Sequence, residues 1–413
     1  MHDSSSTRFP DGTPIPEWFH GSVSEEPDIR EYSAVELGVR PDRPDLLQTE
    51  KIQQAIEAVS REGGGRLVFP SGVYSSGSLF FRPGVHLHLK KGAVLQGSTE
   101  IEDFALLPTR MEGRSVNYFA ALINADHCDG FTISGEGVLD GNGLPYWRHF
   151  WLRRKFNPDC TNMDEMRPRI LYISNSRNVT VRGIGIRNSP FWSTHYYRCG
   201  FLTLENLRIT APAEPVGAPS SDAVDLDNCE NVRIRSCFFS VNDDAIALKG
   251  GKGADADLRE ENGENCNIVI ENCSFGYCHT CLTCGSETIR NRNIVMENCR
   301  VDGAGQLFRL KMRPDTPQRN EFIRVSGIRG SCTGEAFCFS SWAQFRETSE
   351  VLPSFGEHIL LENLDLTCRR VCFLAGEEEF QLNDIRIRDC RFIVSETELP
   401  DHKGIRLSDI TFS

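Results

Sequence analysis

Three aspartates spaced one structural repeat apart are the residues of this chain whose pattern most suggests chemistry. Aligning Asp222-Ala223-Val224-Asp225-Leu226 with Asp244-Ala245-Ile246-Ala247-Leu248 superposes the apolar pairs and puts Asp222 on Asp244, 22 residues later, with Asp243 beside it. On successive turns of a stacked fold such segments lie ~4.8 Å apart. Like charges directly opposite are destabilising, and one carboxyl should be driven up in pKa. A raised and an unraised carboxyl together are what glycosidic hydrolysis needs: an acid for the leaving oxygen and a base for water. The following coils extend the patch. His279 aligns with Asp243, because Cys278-His279-Thr280-Cys281-Leu282 matches Asn242-Asp243-Asp244-Ala245-Ile246. Arg309-Leu310-Lys311 puts two cations on one face by strand alternation. Of only eight lysines, Lys249, Lys252 and Lys311 lie on or near these coils. A basic strip on an acidic chain implies an anionic substrate, with Arg reading a carboxylate bidentately. Taken singly, an Asp pair is a solvated turn, a lone His is structural, and Arg-x-Lys is an outward strand face. Their coincidence at one ladder position on successive coils argues for a site.

The elements that must hold these residues are nearly all strands. Thr49 to Glu62 reads as a helix, with Ile52, Ala55, Ile56 and Val59 on one face, Thr49 as N-cap and Gly63-Gly64-Gly65 ending it. No further helical period follows. Short alternating strands recur instead, among them Val179-Thr180-Val181, Leu202-Thr203-Leu204, Val232-Arg233-Ile234, Ile268-Val269-Ile270 and Ile294-Val295-Met296, at intervals of 20–36 residues. Such self-similarity means stacked units. Leucine-rich repeats would show helices between strands, and propeller blades need ~40 residues each. The reading is an all-β, single-stranded right-handed parallel β-helix over 31–413, capped at its N-terminal end by the helix and preceded by an extended tail over 1–30. Asn228-Cys229, Asn272-Cys273 and Asn298-Cys299 recur at equivalent turns, as stacked internal ladders would require.

Composition narrows the function. The 413 residues carry a net charge of −13, which argues against a nucleic-acid partner. No stretch approaches the ~20 apolar residues that span a bilayer, so no membrane partner is expected. The start, Met1-His2-Asp3-Ser4, lacks an apolar leader segment, which implies a cytoplasmic protein unless a leader was removed. Sixteen cysteines then read as small buried hydrophobes. Cys278, Cys281 and Cys284 have partial iron–sulfur spacing, but residues three apart on a strand face opposite ways, and no cofactor or metal is expected. Oligomeric state is not legible.

These motifs resemble glycoside hydrolase family 28, the polygalacturonases and their rhamnogalacturonan-active relatives. The resemblance runs from about residue 33 to 412 in the family's motif order. Gly135-Glu136-Gly137-Val138-Leu139-Asp140-Gly141 is similar to its Gly-x-Gly-x-Ile-Asp-Gly segment, and Asn188-Ser189-Pro190-Phe191-Trp192-Ser193-Thr194-His195 to its Asn-Ser-Pro-x-Trp-x-x-His segment. Ser220-Ser221-Asp222 stands for Asn-Thr-Asp, Asn242-Asp243-Asp244 for Gly-Asp-Asp, Cys278-His279-Thr280 for Gly-His-Gly and Arg309-Leu310-Lys311 for Arg-Ile-Lys. The resemblance implies a glycoside hydrolase acting on pectic chains with inversion. Asp243 would be the acid, Asp222 and Asp244 would hold and deprotonate the water, and His279 would tune the acid. Arg309 and Lys311 would bind a uronate carboxylate, and Trp192, His195 and Lys249 would contact substrate. Inversion sits against the rule that inverting carboxyls are ~6.5–9.5 Å apart, since stacked coils hold them closer. The replaced Asn-Thr and Gly positions, and the absence of any Tyr after Tyr277, alter the sugar-contacting wall. Insertions near 105–120, 141–168, 250–265 and 333–357 would wall the groove into a pocket, favouring exo-attack on short pectic oligosaccharides.

Two rivals remain. The three aspartates suit Ca²⁺, which takes carboxylate oxygens, so a pectate-lyase-like eliminase with Arg309 as base is one. A non-catalytic carbohydrate-binding β-helix is the other, and retention of all three acids opposes it.

Overall fold

The computed structural model describes residues 7–21, 29–43, 45–396 and 399–412. The chain winds as a parallel β-helix with three strands to a typical coil, such as Thr180–Arg182, Gly185–Arg187 and Thr194–Tyr197. Two strands of each coil join a continuous 23-stranded parallel system, and the third joins a ten-stranded parallel sheet. Val181, Ile186, Leu204, Ile209, Ile234 and Ile270 stack inward with no exposure, which is the burial that drives the winding.

The corners explain the recurring Asn-Cys pairs. Asn228, Asn272 and Asn298 have φ of 59°, 55° and 54°, the left-handed conformation that Asn tolerates better than other non-glycine residues. Cys229, Cys273 and Cys299 beside them are buried, and all sixteen cysteines are buried free thiols. The internal amide ladder runs elsewhere than expected: Asn265 donates to Asn291 (3.0 Å), and Asn291 to Asn320 (2.7 Å), all three without exposure.

The elements that matter for the site are, in chain order, α1 (Thr49–Arg61), β1 (Leu79–Phe80), β2 (Leu106–Met111), β3 (Arg114–Phe119), β4 (Ile123–Asp126), α2 (Leu144–Phe156), β5 (Leu171–Ser174), β6 (Thr194–Tyr197), β7 (Val224–Asp227), β8 (Ile246–Lys249), β9 (Thr280–Gly285), β10 (Gln306–Met312), β11 (Glu335–Ser341) and β12 (Arg370–Ala375). The ten-stranded sheet is β1 and β4 to β12 in that order, and β2–β3 is an antiparallel hairpin.

Three expectations need correction. Thr49 is the first helical residue of α1 rather than its N-cap; Gln48 holds that position, and the Thr49 hydroxyl accepts from Gly77 N instead. Residues 7–21 of the 1–30 segment form no extended tail: Phe9, Ile15 and Phe19 are buried against Val269 and Val295. Arg233 fixes it there by donating to the carbonyls of Trp18 (2.6 Å) and Gly21 (2.8 Å). A second helix, α2, exists where no helical period was visible, because its apolar residues lie all round the helix. It is pinned by polar tips of aromatic residues, with Tyr146 donating to Ser98 O, Trp147 to Ser189 O and Trp151 to Gly217 O.

Candidate active site

The register is the one read from the sequence. Val224 pairs with Ile246 and Leu226 with Leu248, while Ala223 N bonds Asp244 O, so Asp222 and Asp244 occupy equivalent corners. One coil on, His279 N bonds Asp243 O. Ligand oxygens of Asp222, Asp243 and Asp244 lie within 4.8 Å of one another. Asp222 and Asp244 are buried, and Asp243 is the member with a quarter of its side chain exposed.

Burial pushes the Asp222 carboxyl well up, with the neighbouring Asp243 and Asp225 carboxylates adding to it. Asp243 moves the other way: burial opposes ionisation, but the hydrogen bond and charge of His279 outweigh it and hold the group down to about 2. His279 Nδ1 is 3.3 Å from Asp243 Oδ1, and that partner raises the imidazole. Lys311 Nζ sits 2.6 Å from Asp244 Oδ2. The cluster thus separates carboxyls by environment. Its spacing also admits a cation, yet Lys311 on Asp244 and His279 on Asp243 already supply positive charge to two of the three.

Around these residues lies a cleft of about 510 Å³ lined by Asp222, Asp243, His279, Arg309, Lys311 and Trp342, among others. Such a volume is ordinary for a small-molecule or sugar site. Arg309 lies on the same face as Lys311, with Leu310 buried between them. Its guanidinium makes no ion pair among the described residues, leaving it available to an anion.

A protein-family comparison matches residues 66–328 to Glycosyl hydrolases family 28. The chain belongs to this family. It is 28% identical to a probable polygalacturonase of Vitis vinifera over 214 residues, half of this chain and 41% of that protein, so it spans less than half of that relative's length. It is 25% identical to an endo-polygalacturonase of Pectobacterium parmentieri, covering 84% of this chain and 85% of that one. In fold it is similar to a hyperthermoactive exopolygalacturonase from Thermotoga maritima, with a TM-score of 0.79, 23% identity, and coverage of 94% and 92% of the two chains. The right-handed parallel β-helix is therefore shared.

Within this family-28 chain the remaining expected residues fall into different places. Trp192 lines the cleft, its ring stacked on Phe191 at 4.9 Å and lying under the Lys249 ammonium at 5.1 Å. Lys249 lines the cleft too, but is committed to carboxylates, 3.3 Å from Glu287 and 3.8 Å from both Asp222 and Asp225. It serves as a counter-ion, and Glu287 is correspondingly held low against burial. His195 is the correction. It is fully buried, accepts from Arg169 Nη1 at 2.6 Å through Nδ1, and turns Nε2 toward Asp227 at 3.5 Å. Burial pushes it down to about 4, so it is a neutral support and cannot touch substrate.

Sequence reasoning missed Asp225, Asp227, Glu287 and the arginines under the site. Asp225 and Asp227 alternate with inward Val224 and Leu226, so the outward phase of β7 was the available signal. Arg110, Arg167 and Arg169 sit on inserted segments with no repeat register, and nothing in the spacing pointed to them. Three of the four expected insertions do wall the cleft, through Glu112, α2 and the 342–344 segment. The fourth braces them from behind: Lys252 lies 3.6 Å from Glu112 and 3.8 Å from Glu347, which also pairs with Arg114. At the hairpin tip Gly113 has φ +71°, and an added Cβ would meet Gly251 at 2.7 Å, so tip and brace are in backbone contact.

Proposed function

We propose that the protein is an exo-acting, inverting hydrolase of α-galacturonosidic bonds that releases galacturonate from the ends of pectic chains. The observation carrying this is the Asp222–Asp243–Asp244 cluster beside Arg309, which makes no ion pair among the described residues, in a cleft walled by Glu112 at the braced tip of the β2–β3 hairpin, by α2 and by Trp342. Walls raised by these insertions favour a chain terminus over a chain passing through. The names of the relatives, polygalacturonase and exopolygalacturonase, support the same substrate.

In this reading the His279–Asp243 pair is the acid. The imidazolium proton passes to Asp243, the most exposed carboxyl of the cluster, and from it to the leaving glycosidic oxygen. Asp244 accepts a proton from the attacking water through Oδ1, which has no hydrogen-bond partner among the described residues, while Lys311 holds Oδ2. Asp222, whose carboxyl burial pushes well up, orients that water. Neither carboxyl is free as a covalent nucleophile, which favours direct attack by water and hence inversion, although the separations are below the usual inverting range. Arg309 and Lys311 face the substrate carboxylate. Cytoplasmic action on imported short oligosaccharides completes the reading.

The test is a product profile on oligogalacturonates and rhamnogalacturonan oligosaccharides with proton NMR of the first turnover. Free galacturonate of inverted anomeric configuration, without an unsaturated product and unaffected by chelator, is expected. A ladder of internal products, or chelator-sensitive ultraviolet absorbance, would replace it with endo-attack or with the eliminase.

A further inference from the structure

Between the cleft wall and the catalytic corner runs a continuous column of alternating cations and rings that the proposed mechanism does not use. Arg154 lies over the Phe150 ring of α2 at 4.2 Å. Arg167 lies between Phe150 and Phe191 at 4.5 Å from each. Phe191 stacks on Trp192 with planes 12° apart, and Trp192 faces Lys249. The column thus starts on an inserted helix and ends at the ammonium that lies 3.8 Å from Asp222.

Its centre, Arg167, is fully buried and has no carboxylate within ion-pair distance among the described residues. Burying an arginine this way is costly unless other groups replace its hydration. Here the two ring faces and four acceptors do so: Pro190 O (3.3 Å), Pro219 O (2.8 Å), Asn162 Oδ1 (2.9 Å) and Ser220 Oγ (3.5 Å). Two of these, Pro219 and Ser220, belong to the turn that delivers Asp222. One guanidinium therefore joins three pieces: the helix that walls the cleft, the Ser189–Trp192 turn, and the aspartate turn. A simple packing residue would not need a charge at this point. Arg fits because its flat fork stacks on both faces while its edge donates.

We propose that Arg167 is a positioning residue of this enzyme, and that the column it centres couples the α2 wall to the Asp222 corner, so that the walled, exo-selective shape of the cleft and the catalytic geometry are set together. This rests on the exo-hydrolase reading above. It is deeper than that reading because it assigns the cleft wall to a helix held from beneath, and not to the hairpin alone.

The experiment uses the full chain and compares wild type with Phe150→Leu, Phe150→Tyr and Arg167→Lys on tri-galacturonate and polygalacturonate, with amide hydrogen exchange measured in parallel. Phe150→Leu removes one ring and keeps every bond of Arg167. It is expected to speed exchange of the α2 amides about tenfold while β7 and β8 keep wild-type protection. KM for the trimer is expected to rise more than kcat falls, and internal products should appear from the polymer. Phe150→Tyr is expected to restore all three. Arg167→Lys, losing the fork, should lower kcat as well as raise KM. Wild-type exchange and product profile in both Phe150→Leu and Arg167→Lys would reduce the column to packing and overturn the proposal. If wild type itself cleaves neither substrate, the functional reading fails instead, and the exchange data alone then decide whether the column holds α2.

Discussion

Two clefts of nearly equal size lie along the outward face of the same ten-stranded sheet, and the hairpin β2–β3 touches both. One, about 510 Å³, holds the aspartate cluster and is met by Glu112 at the hairpin tip. The other, about 500 Å³, is lined by Phe80, Asn124, Asp126, Tyr172, Tyr197 and the body of the hairpin, including Arg110. Volume does not distinguish them; the state of their charges does. In the second cleft Arg82 is paired with Glu57 and Arg110 with Asp227, while Asp126 accepts from Asn175, Ser174 and His127 and is held low despite partial burial. In the first, carboxyls are crowded against each other and Arg309 stands without an ion pair among the described residues. A fold gains nothing by leaving charges so, which is why the imbalance marks chemistry.

The largest effect expected is on turnover. Asp243→Asn removes the proposed proton donor of the first cleft and should lower kcat by about 10²–10⁴-fold, the usual share of a general acid. The matched change Asp126→Asn in the second cleft should leave steady-state rates on oligogalacturonate within about twofold. Equal losses would mean that the two clefts act on one substrate and would break the contrast. Next comes the partition between them. Asp227 accepts from Arg110 Nε at 3.0 Å with both side chains buried. Asp227→Asn strands that cation and should cost about 3–5 kcal/mol of stability in chemical denaturation. Arg309→Gln should do less: losing a charged hydrogen bond worth about 1.5–3 kcal/mol raises KM for a uronate roughly 10–100-fold. Arg82→Gln, whose partner is Glu57, should leave KM unchanged.

The same contrast shows what the sequence could reveal. The repeat made the strands, the register and the corner positions legible, because burial of one inward residue per ladder step recurs along the whole chain. Asp222, Asp243, Asp244, His279, Arg309 and Lys311 could be found as exceptions to that register. What the repeat does not govern was invisible. α2 has no apolar stripe and depends on the tips of Tyr146, Trp147 and Trp151 reaching carbonyls far away in sequence. Apart from the Arg167–Asn162 bond, Arg110, Arg167 and Arg169 act across 23 to 152 residues of separation. His195 lies inside a motif, yet Arg169, Tyr172 and Asp227 around it lie outside that motif, so its motif position gave no hint of its inaccessibility. The N-terminal strap was missed for a related reason: three scattered aromatic and aliphatic residues form no period, and their partners Val269 and Val295 are outward residues of distant coils.

The smallest effect is also the most specific to the crowded cleft. Asp225 is fully buried beside Asp222, and burial drives it up to about 8 even with Lys249 opposing. Its folded pKa is above the unfolded value, so the stability it contributes is complete below about pH 4, where both states hold the proton. As pH rises toward 8 the unfolded chain releases that proton and the folded one does not, and stability falls. Asp225→Asn keeps the shape and removes the titration. Its melting temperature should equal that of wild type near pH 4, exceed it increasingly up to pH 8, and hold a constant lead above that. No carboxyl of the second cleft should behave this way, since Asp126 is shifted in the opposite direction: the deficit of Asp126→Asn relative to wild type should be complete and constant above about pH 4 and shrink as pH falls below it. If the two variants give parallel curves against pH, crowding of buried carboxyls is not what separates the clefts.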